Sequence, residues 1–189
     1  EFIKFVADNA NVPVITGGVG VCHTYVDKTA DIEKAIAIVF NAKVQRPSVC
    51  NALDTLIIHK DIAPSFLPRV ARKLSDSGVR LRCDKASLQL LADVKEVSTS
   101  PATEDDWGKE FLDLIASIKI VDSADAAMSH IDQYGSGHSE AIITEDYTNG
   151  TRFLEEVDAA AVYINASTRL TDGGQFGLGA EVAVSTDKL

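Results

Sequence analysis

The sequence predicts an α/β protein of three layers, αβα, in which helices cover both faces of a largely parallel sheet. Two observations carry this. Short β-branched runs such as Thr55-Leu56-Ile57-Ile58 alternate along the chain with segments of helical apolar spacing, and strands joined through crossovers of that length run parallel. Neither an internal repeat nor a low-complexity linker interrupts the alternation, so the 189 residues read as a single domain.

Element by element, Val12-Pro13-Val14-Ile15 and Cys22-His23-Thr24-Tyr25-Val26 flank Gly17, Gly18 and Gly20, and read as two strands joined by a glycine turn. From Asp31 onward, Ile32, Ala35, Ile36, Val39 and Phe40 share one helical face, predicting a helix that ends near Lys43. Pro47 and the lost period make 44–51 a loop, which delivers Cys50 just ahead of the strand at 55–58. Ile62, Phe66, Val70 and Leu74 predict a helix over 62–75, with Gly78 suited to stop it. A strand at 79–81 and a short helix near 86–91 follow, while 96–109 shows no period and reads as a surface excursion. The last third alternates again: strand 117–121, a helix with Ala124, Ala127, Met128 and Ile131 on one face, strand 141–144, a helix to about Glu156, and strand 161–164. Gly173-Gly174-Gln175-Phe176-Gly177-Leu178-Gly179 closes the chain as a glycine-rich loop.

Composition narrows the function classes. A formal net charge of -10, from 28 acidic against 18 basic residues, argues against a nucleic-acid partner, because the carboxylates repel a polyanion. No apolar run approaches the roughly 20 residues that span a bilayer, so no membrane partner is expected and the protein reads as soluble and cytoplasmic. The chain opens without Met inside the apolar stretch Phe2-Ile3-Lys4-Phe5-Val6, as a fragment of a longer polypeptide would. Three widely spaced cysteines fit neither a disulfide framework nor a metal clip, and four scattered histidines lack ligand spacing; reduced thiols and no metal are expected.

Cys50 follows Arg46-Pro47-Ser48-Val49 in a loop where backbone amides and a guanidinium could stabilise a thiolate, which suits a nucleophile; the bland reading is a small core hydrophobe. Cys22 falls inside a strand, and Cys83, between Arg82 and Asp84, on a surface turn. Asn165-Ala166-Ser167-Thr168-Arg169 leaves a buried strand, and polar groups after a parallel strand face the ligand crevice. Arg169 could clamp a carboxylate and Asp172 meet an amine, or the segment could be a solvated loop. Gly17-Gly18-Val19-Gly20 lacks both the Walker Lys-Ser/Thr pair and the third glycine of a dinucleotide fingerprint. His138 sits in a small-residue loop before a strand, where local hydrogen bonding competes with a site role.

Asn41-Ala42-Lys43-Val44-Gln45-Arg46-Pro47-Ser48-Val49-Cys50-Asn51 resembles the active-site signature of the γ-glutamyl phosphate reductases, within the aldehyde dehydrogenase superfamily. Val162-Tyr163-Ile164-Asn165-Ala166-Ser167-Thr168-Arg169, continuing from Asp172 through Glu181-Val182-Ala183-Val184-Ser185-Thr186, resembles the family's C-terminal signature. The resemblance implies an aldehyde dehydrogenase-like catalytic domain over 1–189, with an N-terminal nucleotide-binding domain and a C-terminal tail outside this chain. It implies an NADP-dependent glutamate-5-semialdehyde dehydrogenase (phosphorylating), reducing L-glutamyl 5-phosphate through a Cys50 thioester in proline biosynthesis. NADP(H) would be bound mainly by the missing domain, with Glu110 resembling the residue that holds the nicotinamide ribose. Ile15 stands where the superfamily's hydrolytic base Glu would be, which favours a thioester that survives to be reduced. Arg46, Asn51, His138, Asn165, Ser167, Thr168 and Arg169 are the expected substrate contacts, with Arg169, Ser167 and Thr168 at the glutamyl carboxylate and Arg46 or His138 near the phosphate or amino end. A homo-oligomer and functional coupling to glutamate 5-kinase are the partner expectations. The alternatives are another acylating or oxidising aldehyde dehydrogenase, or a catalytically silent substrate-binding or assembly module; the fragment alone is expected to be inactive.

Overall fold

The computed structural model describes residues 2–181 and 183–186; Glu1 and Val182, the latter inside the second signature block, lie outside the described residues. In chain order the elements are α1 (Phe2–Asn9), β1 (Cys22–Val26), α2 (Ile32–Val44), β2 (Leu53–His59), α3 (Ala63–Asp76), β3 (Arg80–Cys83) and α4 (Lys85–Leu91). They continue with β4 (Thr99–Pro101), β5 (Ile115–Val121), α5 (Ala124–Tyr134), β6 (Ser139–Ile143), α6 (Tyr147–Glu156) and β7 (Ala161–Ile164). Short 3-10 turns stand at Glu104–Asp106 and Thr168–Leu170. The strands form one parallel sheet in the order β4-β3-β5-β2-β1-β6-β7.

Strand alternation splits the core in two. Leu56, Ile58, Leu81 and Ile118 pack under Ala35, Val39, Phe66, Leu67 and Val70 of α2 and α3, whereas Tyr25, Ile57 and Ile142 meet Ala127, Ile131 and Phe153 of α5 and α6. Four helix starts carry side-chain caps: Asp31, Asp84, Ser123 and Asp146 accept from the amides of Lys34, Ser87, Ala126 and Asn149. Each cap contributes about 1 kcal/mol. The three-layer αβα architecture and its parallel sheet are those the sequence predicts. No helix among the described residues is long and apolar enough to cross a membrane.

Three local expectations fail for identifiable reasons. Residues 12–15 form no strand: Pro13 withholds an amide from any ladder, and Val12 and Ile15 remain exposed rather than finding a sheet face. The aperiodic stretch after residue 96 does supply a strand, β4, which pairs with β3 at the sheet edge; three residues are too few to display a period. Cys83 is not on a surface turn. It is the last residue of β3, where alternation buries Leu81 and Cys83, and burial pushes its thiol up to about 12.

Candidate active site

Cys50 occupies the turn between α2 and β2, closed by the Ala52 amide donating to the Val49 carbonyl at 3.0 Å. This places it at the amino-terminal edge of the sheet, beside Cys22, the first residue of β1. A cavity of about 470 Å³ opens there, with Arg46, Cys50, Asn51, Arg169, Asp172 and Glu181 among its walls. Cys50 is half-buried, and burial raises its thiol above the ordinary value. Its own backbone N–H opposes that rise by hydrogen-bonding the sulfur, Glu110 and Glu181 add to it through their charge, and Arg169 pulls down.

Sequence reasoning put the crevice beyond the carboxyl end of β7, and the chain does otherwise. Only Asn165 stays there, at φ 54, its Oδ1 accepting from the Thr144 amide at 3.0 Å and its Nδ2 donating to the Thr144 carbonyl at 2.8 Å. It ties β7 to the end of β6 and lines a separate cavity with Thr144 and Tyr147, so it is not a contact of the Cys50 site. The Thr168–Leu170 turn then carries the chain back to the amino edge. There the Thr171 hydroxyl meets Ser139 Oγ at 2.8 Å and the Tyr163 hydroxyl at 3.0 Å.

That return brings Arg169 to Asn51. The Arg169 guanidinium donates to Asn51 Oδ1 and lies 3.7 Å from Asp172, while Asn51 Nδ2 donates to the Thr171 carbonyl at 2.5 Å. Arg169 is only 7% exposed, and its Nε has no hydrogen-bond partner among the described residues, an uncompensated buried donor in the wall of a cavity. Ser167 and Thr168 support this wall rather than line it: Ser167 Oγ accepts from the Arg169 amide and Thr168 Oγ1 donates to the Asn51 carbonyl at 2.8 Å. Arg46 is exposed at the cavity wall. His138 is not among the cavity's lining residues: it is buried, with Nδ1 2.9 Å from Ser139 Oγ and 3.8 Å from Cys22 Sγ. Burial lowers its pKa, and the neutral ring does local hydrogen bonding.

Glu110, on the loop before β5, accepts the Gly20 amide at 3.1 Å, and its charge reaches the Cys50 thiol. Residues 10–21 run irregularly past it, leaving Ile15 70% exposed. Among the described residues, no group of three or more His, Cys, Asp or Glu could hold a metal ion.

Sequence reasoning missed the buried pair behind Cys50. Asp54 lies in β2 with Lys43 of α2 at 4.0 Å, both essentially inaccessible. Burial raises the Asp54 carboxyl to about 6 and lowers the Lys43 ammonium to about 8. A signal existed: Lys43 falls four residues after Val39 and seven after Ile36, on the buried face of its helix.

The fold of this chain, a parallel sheet with a loop cysteine at its amino edge beside an arginine-lined cavity, is aldehyde dehydrogenase-like. An acetylating aldehyde dehydrogenase from Geobacillus thermoglucosidasius shares the fold at a TM-score of 0.67 and 17% identity, over 98% of this chain and 48% of that one. By sequence the chain is similar to γ-glutamyl phosphate reductases. It is 58% identical to the γ-glutamyl phosphate reductase of Dehalococcoides mccartyi over 187 residues, which are 99% of this chain and 44% of the relative. The corresponding figure for Clostridium acetobutylicum is 57%, again over 44% of that protein. The crystal structure of the Thermotoga maritima γ-glutamyl phosphate reductase superposes at a TM-score of 0.92 with 51% identity, covering 99% of this chain and 44% of that one. The chain therefore spans less than half the length of the curated relatives it matches. No family model matches it.

Proposed function

We propose that this chain supplies the nucleophile and the substrate clamp for reduction of L-glutamyl 5-phosphate to L-glutamate 5-semialdehyde and phosphate, a step of proline biosynthesis. The observation that carries the reading is the Cys50 cavity itself: one thiol, two guanidiniums (Arg46 and Arg169) and two carboxylates (Asp172 and Glu181) around about 470 Å³. The substrate carries a carbonyl for the thiol, a carboxylate and a phosphate for the cations, and an ammonium for the acids. The unpartnered Arg169 Nε favours Arg169 for the carboxylate, because an anion there satisfies a buried donor. Exposed Arg46 is left for the phosphate.

In this mechanism the Cys50 sulfur bonds to the acyl carbon as a thiolate, the carbon–oxygen bond to phosphate breaks, and a thioester remains on Cys50. The Cys50 backbone N–H stabilises the transient oxyanion, a contribution of about 3–4 kcal/mol for one preorganised donor. NADP(H), when bound, supplies the hydride that reduces the thioester to the aldehyde. Glu110 is our candidate for a nicotinamide-ribose contact, its carboxylate lying within electrostatic reach of Cys50. The exposed 17–19 stretch precedes a strand instead of following one, and offers no dinucleotide cradle. Most of the cofactor site thus falls to the remaining length that the relatives possess, and the isolated chain is expected to be inactive.

The test is the reaction in reverse on the complete polypeptide, with glutamate semialdehyde, phosphate and NADP⁺, comparing wild type with Cys50→Ala. Loss of NADPH formation in Cys50→Ala is expected. An active Cys50→Ala enzyme would sink the mechanism, and an inactive wild type would sink the reaction.

A further inference from the structure

We infer that Asp54, held by Lys43, is a positioning residue for Cys50, gripping through its two oxygens the two chain segments that fix the nucleophile's peptide. The inference rests on reading Cys50 as the nucleophile and goes beyond it in naming what aims it.

Two arms leave the buried carboxylate. Asp54 Oδ2 accepts from the Cys22 amide at 3.3 Å, and the Cys22 thiol donates to the Cys50 carbonyl oxygen at 3.2 Å. Asp54 Oδ1 accepts from the Phe111 amide at 3.0 Å, and the neighbouring Glu110 carboxylate holds the Gly20 amide at 3.1 Å. Gly20 in turn lies hard against Cys50: a methyl added there would sit 2.7 Å from Cys50 Cβ and collide with the Cys50 carbonyl oxygen. Both arms therefore end on Cys50 itself, at its carbonyl and Cβ, and it is this residue's own N–H that hydrogen-bonds its sulfur.

The chemistry explains why an acid stands here. Two N–H donors arrive from segments more than fifty residues apart in sequence, and a carboxylate accepts both where an asparagine offers one acceptor oxygen. A charge so deeply buried needs a partner. Lys43 supplies it at 4.0 Å while its Nζ is itself fixed by the Leu53 carbonyl at 2.8 Å, one residue before Asp54. Such a pair is weak support for stability, since burying two charges costs about what their attraction returns. Its geometric output is a defined Cys50 peptide.

The experiment uses the complete polypeptide and reads kcat and KM for glutamyl phosphate together with the pH midpoint of iodoacetamide alkylation at Cys50, followed by peptide mapping. Asp54→Asn and Gly20→Ala are each expected to lower kcat by about 10²-fold while KM stays within about threefold, the pattern of a misaimed nucleophile with substrate binding intact. The alkylation midpoint is expected to rise in both, because a loosened Cys50 holds its sulfur against its own N–H less often. Cys22→Ser, which keeps a donor toward the Cys50 carbonyl, is expected to retain more activity than Cys22→Ala. An Asp54→Asn protein that unfolds cooperatively yet keeps kcat and the alkylation midpoint of wild type overturns the inference. If Asp54→Asn does not fold, the cysteine pair decides, and equal wild-type behaviour of Cys22→Ser and Cys22→Ala overturns it. The alkylation midpoints answer even if wild type reduces no glutamyl phosphate, so failure of the proposed reaction and failure of the positioning role read differently.

Discussion

Asp54→Asn makes a prediction about stability that runs opposite to its effect on turnover. Burial raises this carboxyl from 3.8 to about 6 despite the neighbouring Lys43. At about 1.4 kcal/mol for each tenfold in proton affinity, that rise corresponds to about 3 kcal/mol. The folded value lies above the unfolded one, so the contribution is fully present below about pH 4 and is lost as pH rises through about 6. At about pH 4 wild type carries a protonated Asp54, nearly isosteric with asparagine, and the two proteins should differ little. Between about pH 4 and pH 7 the variant should therefore gain about 3 kcal/mol relative to wild type. Lys43, already lowered to about 8, loses its carboxylate neighbour in the variant. A depressed lysine releases its proton on the way up, which adds to the variant's gain with the same sign. Other titrating groups, including His130, whose burial lowers it to about 3, are common to both proteins and cancel in the difference. The assay is urea unfolding by far-ultraviolet circular dichroism at several pH values across that window. A difference flat within about 0.5 kcal/mol, or one in which wild type gains with rising pH, refutes the burial argument. The expected outcome is a stabler, slower enzyme at neutral pH, a stability and activity trade-off located at one residue.

Three further expectations follow from the site. Arg169→Ala should raise the KM for glutamyl phosphate by about 10- to 100-fold, the loss of a charge-assisted contact of about 1.5–3 kcal/mol, and an unchanged KM would remove Arg169 from the clamp. Asn165→Ala should cost about 1–2 kcal/mol in thermal or urea unfolding, because it forfeits two bonds to Thr144 and a left-handed backbone suited to asparagine, while KM stays at the wild-type value. Because burial holds the Cys50 thiol above its ordinary 9.0, alkylation of this chain should accelerate by about tenfold per pH unit through neutrality; a plateau below about pH 8 would contradict that environment.

What sequence could reveal of this molecule follows from how each feature is encoded. The faces of α2 and α3 are written in local spacing, and Ile36, Val39, Phe66 and Val70 are buried as that spacing requires. The site is not local. Arg169 meets Asn51 across 118 residues, and Asp54 meets the Phe111 amide across 57, so no window of periodicity contains either contact. Burial hides the acid as well: all seven residues of β2 are buried, which erases the two-residue alternation that would otherwise have marked Asp54 as facing inward. The reversed direction of the site has a similar cause. Polar residues after β7 suggested a crevice at the carboxyl ends, but the Thr168–Leu170 turn folds the chain back, and Thr171 is caught at the first residue of β6 by its hydroxyl pairing with Ser139. Of the residues expected to bind substrate, those that share the Cys50 cavity are the ones this turn returns to the amino edge or that stand beside the cysteine in its own loop. Asn165, one turn too early, remains behind to join two strands. The immediate sequence of the proposed nucleophile thus marks the cysteine, while the residues proposed to aim it are legible only once the sheet has brought β1, β2 and the segment before β5 together.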